Sequence, residues 1–376
     1  MQRARSPRSA TPDVLSGLIQ RNGKSKRATA IILTVALVFS LWQGTFSVSA
    51  EERDPALLLR EGLAACMPEI DLAGCQLTPS ELASLYAAVL YDDPSLFHVA
   101  LRLSYAAVGG RVSTVYPVYT LTGDSLTEAR ELYEDTLAAT VAAMQSEIGV
   151  DASEAARVLW LHDHLAYTCS YDTRDTPNAD AYTLFRDRTG VCQAYALAFL
   201  ALSRAAGLEA DLVTSTAMDH AWNHVRVDGV WYHVDVTRDD PVGDVPTVNH
   251  DRLLLSDAGM AARGYHSYTC ASGHACTGTA FELDGKGALE GFHTALTPLG
   301  KGFVGALPDG SPVGICISPN GIFVTARGDI DADGRLTPAD LLAVYDPILP
   351  DAWRAWLRWA LTEEGSSPWE KVAWEA

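Results

Sequence analysis

Three short segments carry a cysteine, a histidine and an aspartate in settings that suit thiol chemistry. They are Gly190-Val191-Cys192-Gln193-Ala194-Tyr195-Ala196, Asp219-His220-Ala221-Trp222-Asn223 and Trp231-Tyr232-His233-Val234-Asp235-Val236-Thr237. A thiol is mostly protonated near neutral pH, so a cysteine nucleophile needs surroundings that favour its anion and a base to take its proton. Gly190 reads as the end of a loop. The apolar run from Ala194 to Ala206, broken by Tyr195, Ser203 and Arg204, has helical character and stops at Gly207. Cys192 therefore falls at or just inside a helix N-terminus, where unpaired N–H groups and the helix dipole favour negative charge.

The histidine and the aspartate must be positioned by something else, and the pattern points to a β-hairpin. His220 to Val227 and Val230 to Thr237 are rich in Trp, Val and Tyr, with Asp228-Gly229 between them as a two-residue turn. With that turn Val227 pairs with Val230, and Asp235 comes opposite Trp222. His220 and His224 are then both diagonal neighbours of Asp235 on one face, so the register alone does not choose the base. The spacing of His220 and His224 also raises a zinc site, but four residues along a strand span roughly 13 Å, too far for shared ligation.

Gly-Val-Cys-Gln at 190–193, His-Ala-Trp-Asn at 220–223 and Trp-Tyr-His-Val-Asp-Val-Thr at 231–237 resemble the transglutaminase-like core, a branch of the papain-like thiol enzymes. Leu161-His162-Asp163-His164-Leu165, with Tyr171-Asp172, resembles the helix that precedes the nucleophile in bacterial members. The resemblance covers roughly residues 155–266. It implies Cys192 as nucleophile, His220 as base and Asp235 as the acid that orients the base, leaving His224 and His233 to the hairpin. Ala194 stands where a glycine is common, and Arg238 where a tryptophan usually precedes Asp-Asp-Pro. The implied fold is α+β: a papain-like transglutaminase core with the nucleophile at a helix N-terminus and the base and acid on an antiparallel sheet. No cofactor is implied for catalysis.

The remaining sequence describes an exported chain of several parts. Its 376 residues allow two or more modules. Lys24, Lys26 and Arg27 precede the apolar run Ala28 to Trp42, and Val48-Ser49-Ala50 offers small residues for cleavage before Glu51. Residues 1–50 thus read as an export signal or, because the basic leader is long, an uncleaved N-terminal anchor, with a secreted or cell-surface destination and no membrane span after signal removal. The leader holds seven Lys or Arg and one Asp; taking its net +6 from the overall −19 leaves −25 on the mature part. Such a surface repels phosphate backbones and argues against nucleic acid. Setting Cys192 aside leaves six cysteines, an even number that suggests disulfides in an exported chain. The short loops Cys66–Cys75 and Cys270–Cys276 close most easily, which pairs Cys169 with Cys316 by elimination.

Residues 51–150 read as a mainly helical N-terminal extension, with helices from Pro79 and over Ser125 to Ile148, and a hairpin over Leu101 to Leu121 turning at Gly109-Gly110. The catalytic core takes 151–268, and 269–326 is a small β-module with Asp-Gly and Pro-Asn-Gly turns. In 327–376, Asp329, Asp331 and Asp333 occupy loop positions 1, 3 and 5, Gly334 position 6, and Asp340 position 12; Arg335 at 7 offers its backbone carbonyl. This is an oxygen-rich set for a structural calcium ion. Gly328 through Leu342 resembles a single dockerin repeat, without the second one that dockerins carry, and a cohesin-like or cell-surface partner is the corresponding expectation. Trp353, Trp356 and Trp359 share one side of a helical tail.

The function expected from all this is that of an exported thiol enzyme acting on peptide or glutamine amide bonds through a thioester, with a protein or peptide as substrate. Tyr182 is a candidate second oxyanion donor beside the Cys192 N–H. The rival expectation is a non-catalytic adhesion or assembly module that keeps the fold.

Overall fold

The computed structural model describes residues 54–240 and 248–283, together with the backbone of short strands at 19–21, 286–287, 297–299, 302–306, 312–318 and 321–324. The rest of the leader, the Asp329–Asp340 loop and the Trp-rich tail lie outside the described residues. Among the described residues no helix is long and apolar enough to cross a membrane. The chain divides into two units, one of residues 1–90 and 98–123 and one of 91–97 and 124–376.

In the first unit, helix α1 (Pro55–Ala64) starts where the Asp54 carboxylate accepts the Ala56 N–H and Pro55 fills the first turn. Helix α2 (Pro79–Asp92) starts on a reciprocal cap. The Thr78 N–H donates to Glu81 Oε2 at 2.7 Å, while the Glu81 N–H donates back to Thr78 Oγ1 at 3.3 Å. Strand β1 (Ile70–Asp71) pairs with β3 (Arg111–Tyr119), which pairs antiparallel with β2 (Val99–Val108). The β2–β3 turn uses Gly109 and Gly110, both at positive φ.

The second unit opens with the long helix α3 (Gly123–Ile148), which buries Leu126, Ala129, Tyr133, Thr140 and Met144. Helix α4 (Glu154–Thr168) is capped by Ser153, whose hydroxyl accepts the Ala156 N–H at 3.2 Å. The short parallel strands β4 (Ser170–Tyr171) and β5 (Thr189–Gly190) flank helix α5 (Ala181–Asp187). Helix α6 (Cys192–Ala205) follows, apolar on all sides and buried from Ala194 to Ser203. A helix of that composition is stable only inside a core. Its neighbours there include Leu159, Leu161 and Leu165 of α4 and Val225 and Val234 of the sheet.

That sheet holds β6 (Ala210–Ser215), β7 (His220–Val227), β8 (Val230–Val234), β9 (Leu253–Leu255) and β10 (Thr269–Cys270), in the order β9-β8-β7-β6-β10 with every pair antiparallel. Helix α7 (Val236–Asp239) leaves the end of β8, and α8 (Asp257–Ala262) follows β9. Val213, Trp222, Leu255, Met260 and Tyr265 make a second apolar cluster. Farther on, the backbone segments 297–299, 302–306, 312–318 and 321–324 pair in succession as an antiparallel meander.

The sequence reading expects disulfides. Among the described residues Cys169, Cys270 and Cys276 are instead free thiols, as is Cys192. The Cys270 thiol meets Ser272 Oγ at 3.0 Å, and Cys276 is buried at 1% exposure.

Candidate active site

The Asp228-Gly229 turn sets the hairpin register: Val227 pairs with Val230 and His224 with His233. Asp235 lies one residue past the end of β8, where it caps α7 and accepts the Arg238 N–H on Oδ1 at 3.1 Å. Leaving the strand turns its carboxylate to the His220 end of β7. His220 Nε2 lies 2.6 Å from Asp235 Oδ2, and the Asp235 side chain is fully buried. With Nε2 committed, the nitrogen left for the thiol of Cys192 is Nδ1, and the thiol is near enough to help raise the pKa of the ring. Cys192 is half-buried, so a substrate can reach it.

Burial alone would lower the His220 pKa. The hydrogen bonds and charges of Asp235 and Cys192 outweigh it and raise the value to about 9. Burial would likewise raise the Asp235 carboxyl, but His220, the Tyr265 hydroxyl and the Arg238 N–H hold it below the usual carboxylate range. The ring of His220 packs on Trp222, with centroids 5.6 Å apart, and against the edge of Tyr265. The pair is therefore fixed in orientation by both hydrogen bonds and packing.

Cys192 is the first residue of α6, after Val191 in extended conformation, and no side chain caps that helix. The loop in front is anchored from two sides. Asp172 takes the Asn178 N–H and a forked contact from Arg174, while the Val191 N–H donates to Asn178 O and the Asp172 N–H to Gly190 O. Gly190 has no room for a side chain: a Cβ there would lie 2.7 Å from Ala194 Cβ and 2.9 Å from Leu184 Cδ1. Gly190→Ala should therefore displace the start of α6, costing about 1–3 kcal/mol by overpacking. Thermal unfolding would read that loss, and the Cys192 thiol would lose reactivity with it; an unchanged melting temperature would contradict this account of the loop.

Several residues at the site escape local sequence signals. The Tyr265 hydroxyl donates to Asp235 Oδ2, and the Arg238 guanidinium lies 4.7 Å over the Tyr265 ring. Arg252 accepts the Asp235 N–H on its carbonyl at 3.1 Å and gives its own N–H to Asp239 Oδ2 at 2.9 Å. Tyr171 pairs with Gly190 across β4 and β5; burial first, then the charges of Cys192 and Asp219, raise its pKa. Tyr182 stacks on Phe97 at 4.7 Å. The Gln193 amide donates to Ala179 O at 2.9 Å.

Behind Asp235 lies a buried polar cluster. His162 Nδ1 bonds Asp163 Oδ1 at 2.9 Å and Nε2 bonds Asp239 Oδ2 at 3.3 Å, while His250 Nε2 reaches Asp163 Oδ1 at 2.7 Å. Burial opposes charge on both His162 and Asp163, yet the partners prevail: His162 is raised and Asp163 lowered. The Tyr195 hydroxyl donates to Asp240, whose carboxyl burial raises to about 6.

Residues 138–236 match the sequence model of the Transglutaminase-like superfamily, so the chain carries a transglutaminase-like domain there with mixed helix and sheet content. No curated protein matches the chain. Among solved structures, a candidate cysteine protease from Cytophaga hutchinsonii is 21% identical, covering 34% of this chain and 52% of its own, with a TM-score of 0.23. A TGase is 14% identical over 38% of this chain and 45% of its own, with a TM-score of 0.25. A candidate protease from Parabacteroides distasonis is 14% identical over 49% of this chain and 40% of its own, with a TM-score of 0.23. The match thus spans about half or less of each of these three chains.

Proposed function

We propose that the chain is an exported thiol enzyme that cleaves or exchanges peptide or glutamine amide bonds. The observation that carries this reading is the 2.6 Å bond from His220 Nε2 to the buried Asp235 carboxylate, with the Cys192 thiol near the same ring. In the proposed reaction Cys192 Sγ attacks the amide carbonyl carbon, with the negative oxygen facing the Cys192 N–H at the uncapped start of α6. His220, holding the thiol proton, gives it to the leaving nitrogen, and ammonia or an amine departs from a thioester. Water or a lysine amine then resolves the thioester, regenerating the thiol. Asp235 keeps the imidazole in position and stabilises its cation.

The test is incubation of the full chain with a protein mixture and a fluorescent amine, read by mass spectrometry against Cys192→Ala. Amine incorporation marks transamidation, and new chain termini or deamidated glutamine mark hydrolysis. If the unaltered chain does neither above Cys192→Ala, the proposal is wrong.

The raised pKa of His220 sets the pH behaviour. Its charged form, and the stability it adds, are fully present below 6.5 and are lost as pH rises through about 9. The kcat/KM profile should accordingly fall on its basic side near pH 9; a fall near 6.5 would mean that Asp235 does not support the cation.

The proposal includes a structural calcium ion held by Asp329, Asp331, Asp333, the Arg335 carbonyl and Asp340. Titration calorimetry of the full chain should show calcium uptake that Asp331→Ala abolishes. Silence at millimolar calcium would remove the ion from the account.

A further inference from the structure

The imidazole of His224 is fully buried, and neither of its ring nitrogens has a hydrogen-bond partner. No other side chain among the described residues leaves two buried polar atoms without one. A buried polar group without a partner is rare in folded proteins and calls for an explanation such as an ion. The His224 ring therefore offers an unengaged nitrogen to the protein interior.

What it faces is a set of metal-ligating groups. His233 lies directly across from His224 in the β7–β8 pairing, with ring centroids 4.3 Å apart and the rings nearly perpendicular. The buried thiol of Cys276 completes a trio whose ligand atoms all lie within 4.8 Å of one another. One carboxylate braces two of the three: Asp257 Oδ1 bonds His233 Nε2 at 2.9 Å, and Asp257 Oδ2 accepts the Cys276 N–H at 3.0 Å. A carboxylate on the far nitrogen of a ligating histidine is the usual outer support of a metal site.

We propose that His224, His233 and Cys276 bind a divalent metal ion, with zinc as the natural occupant. Two neutral imidazoles and a thiolate in a dry setting suit zinc, whose bonds of about 2.0–2.3 Å require the three side chains to draw inward from their present separations. Cys276 gives up its proton on binding. His233 binds through Nδ1 and keeps its Nε2 proton on Asp257. The Trp222 indole N–H, which now donates to His233 Nδ1 at 2.9 Å, gives way. Losing that one hydrogen bond is a small cost beside the binding free energy of an imidazole–thiolate zinc site. Zinc there ties β7 and β8 to the segment after β10, on the side of Trp222 away from His220.

His220 and His224 are separated along one strand and cannot share an ion, whereas His233, the partner of His224, lies across the hairpin. The other trio of this kind, His162, Asp163 and His250, makes a poor site because its atoms are engaged with one another and with Asp239.

The test uses the full chain reconstituted with zinc and freed of loose metal. Elemental analysis should find about one zinc per chain, and X-ray absorption of that sample should show two nitrogen ligands and one sulfur. Cobalt in its place should give a sulfur-to-cobalt charge-transfer band that persists in Cys192→Ala and vanishes in Cys276→Ser and His224→Ala. Because a core variant can fail to fold, the ligand shell of the unaltered chain is the deciding measurement. No retained zinc, a shell without sulfur, or a band that survives both Cys276→Ser and His224→Ala would overturn the proposal.

Discussion

Cys192→Ala and His220→Ala should each remove thiol-dependent turnover, with a loss on the order of 10⁴-fold or more, because in the proposed reaction nucleophile and base act as one unit and neither works alone. Folding should survive both changes. Cys192 is half-buried at a helix start, and His220→Ala leaves the buried Asp235 with Tyr265 and the Arg238 N–H as partners, so that variant should fold with reduced stability. Asp235→Asn should cost less, roughly 10²-fold, since an amide oxygen can still accept from His220 Nε2. Its penalty extends to stability. Both Asp235 oxygens accept hydrogen bonds, from His220 and Tyr265 on Oδ2 and from Arg238 on Oδ1. An amide must point its NH₂ group at one of these donors, which costs about 1–3 kcal/mol. Turnover and thermal unfolding of the three variants check these expectations. A His224→Ala variant that loses turnover while His220→Ala keeps it would reverse the assignment of the base.

Asp163→Ala should be the most destabilising single change among the described polar residues, at about 3–5 kcal/mol, because it strips a buried charge of its counter-ion. Asp163 Oδ1 holds both His162 and His250, and all three side chains are buried. The signs of the shifts give the pH window. The raised His162 adds stability that is fully present below 6.5 and is lost as pH rises through its higher folded value. The lowered Asp163 adds stability that is present above 3.8 and lost as pH falls through its lower folded value. The His162–Asp163 pair therefore contributes most between about pH 4 and 6.5. Denaturant melts across pH should show that maximum in the unaltered chain and a flatter curve in Asp163→Ala.

Much of the core was legible because its signals are local. Asp228-Gly229 set the hairpin register through a two-residue turn, and the apolar run after Cys192 marked a helix that starts on the cysteine itself. The choice between His220 and His224 was not legible from pairing, since both are diagonal to Asp235. It is decided by Asp235 leaving β8 to cap α7, a bend that strand alternation does not encode. Tyr265 and Arg252 reach the site from loops 30 and 17 residues beyond Asp235, where no periodicity points back to it. The short Cys270–Cys276 loop misled for a physical reason: ease of closure says nothing about burial, and Cys276 lies buried beside two histidines.

The most direct test of the proposed site is alkylation by iodoacetamide at mildly acidic pH, with each cysteine followed by mass spectrometry. The proposed pair predicts that Cys192 reacts far faster than Cys66, Cys75 and Cys270, which are comparably exposed. It also predicts that His220→Ala abolishes the advantage by removing the cation that sustains the thiolate. Equal rates at all four cysteines, or a fast Cys192 untouched by His220→Ala, would contradict it.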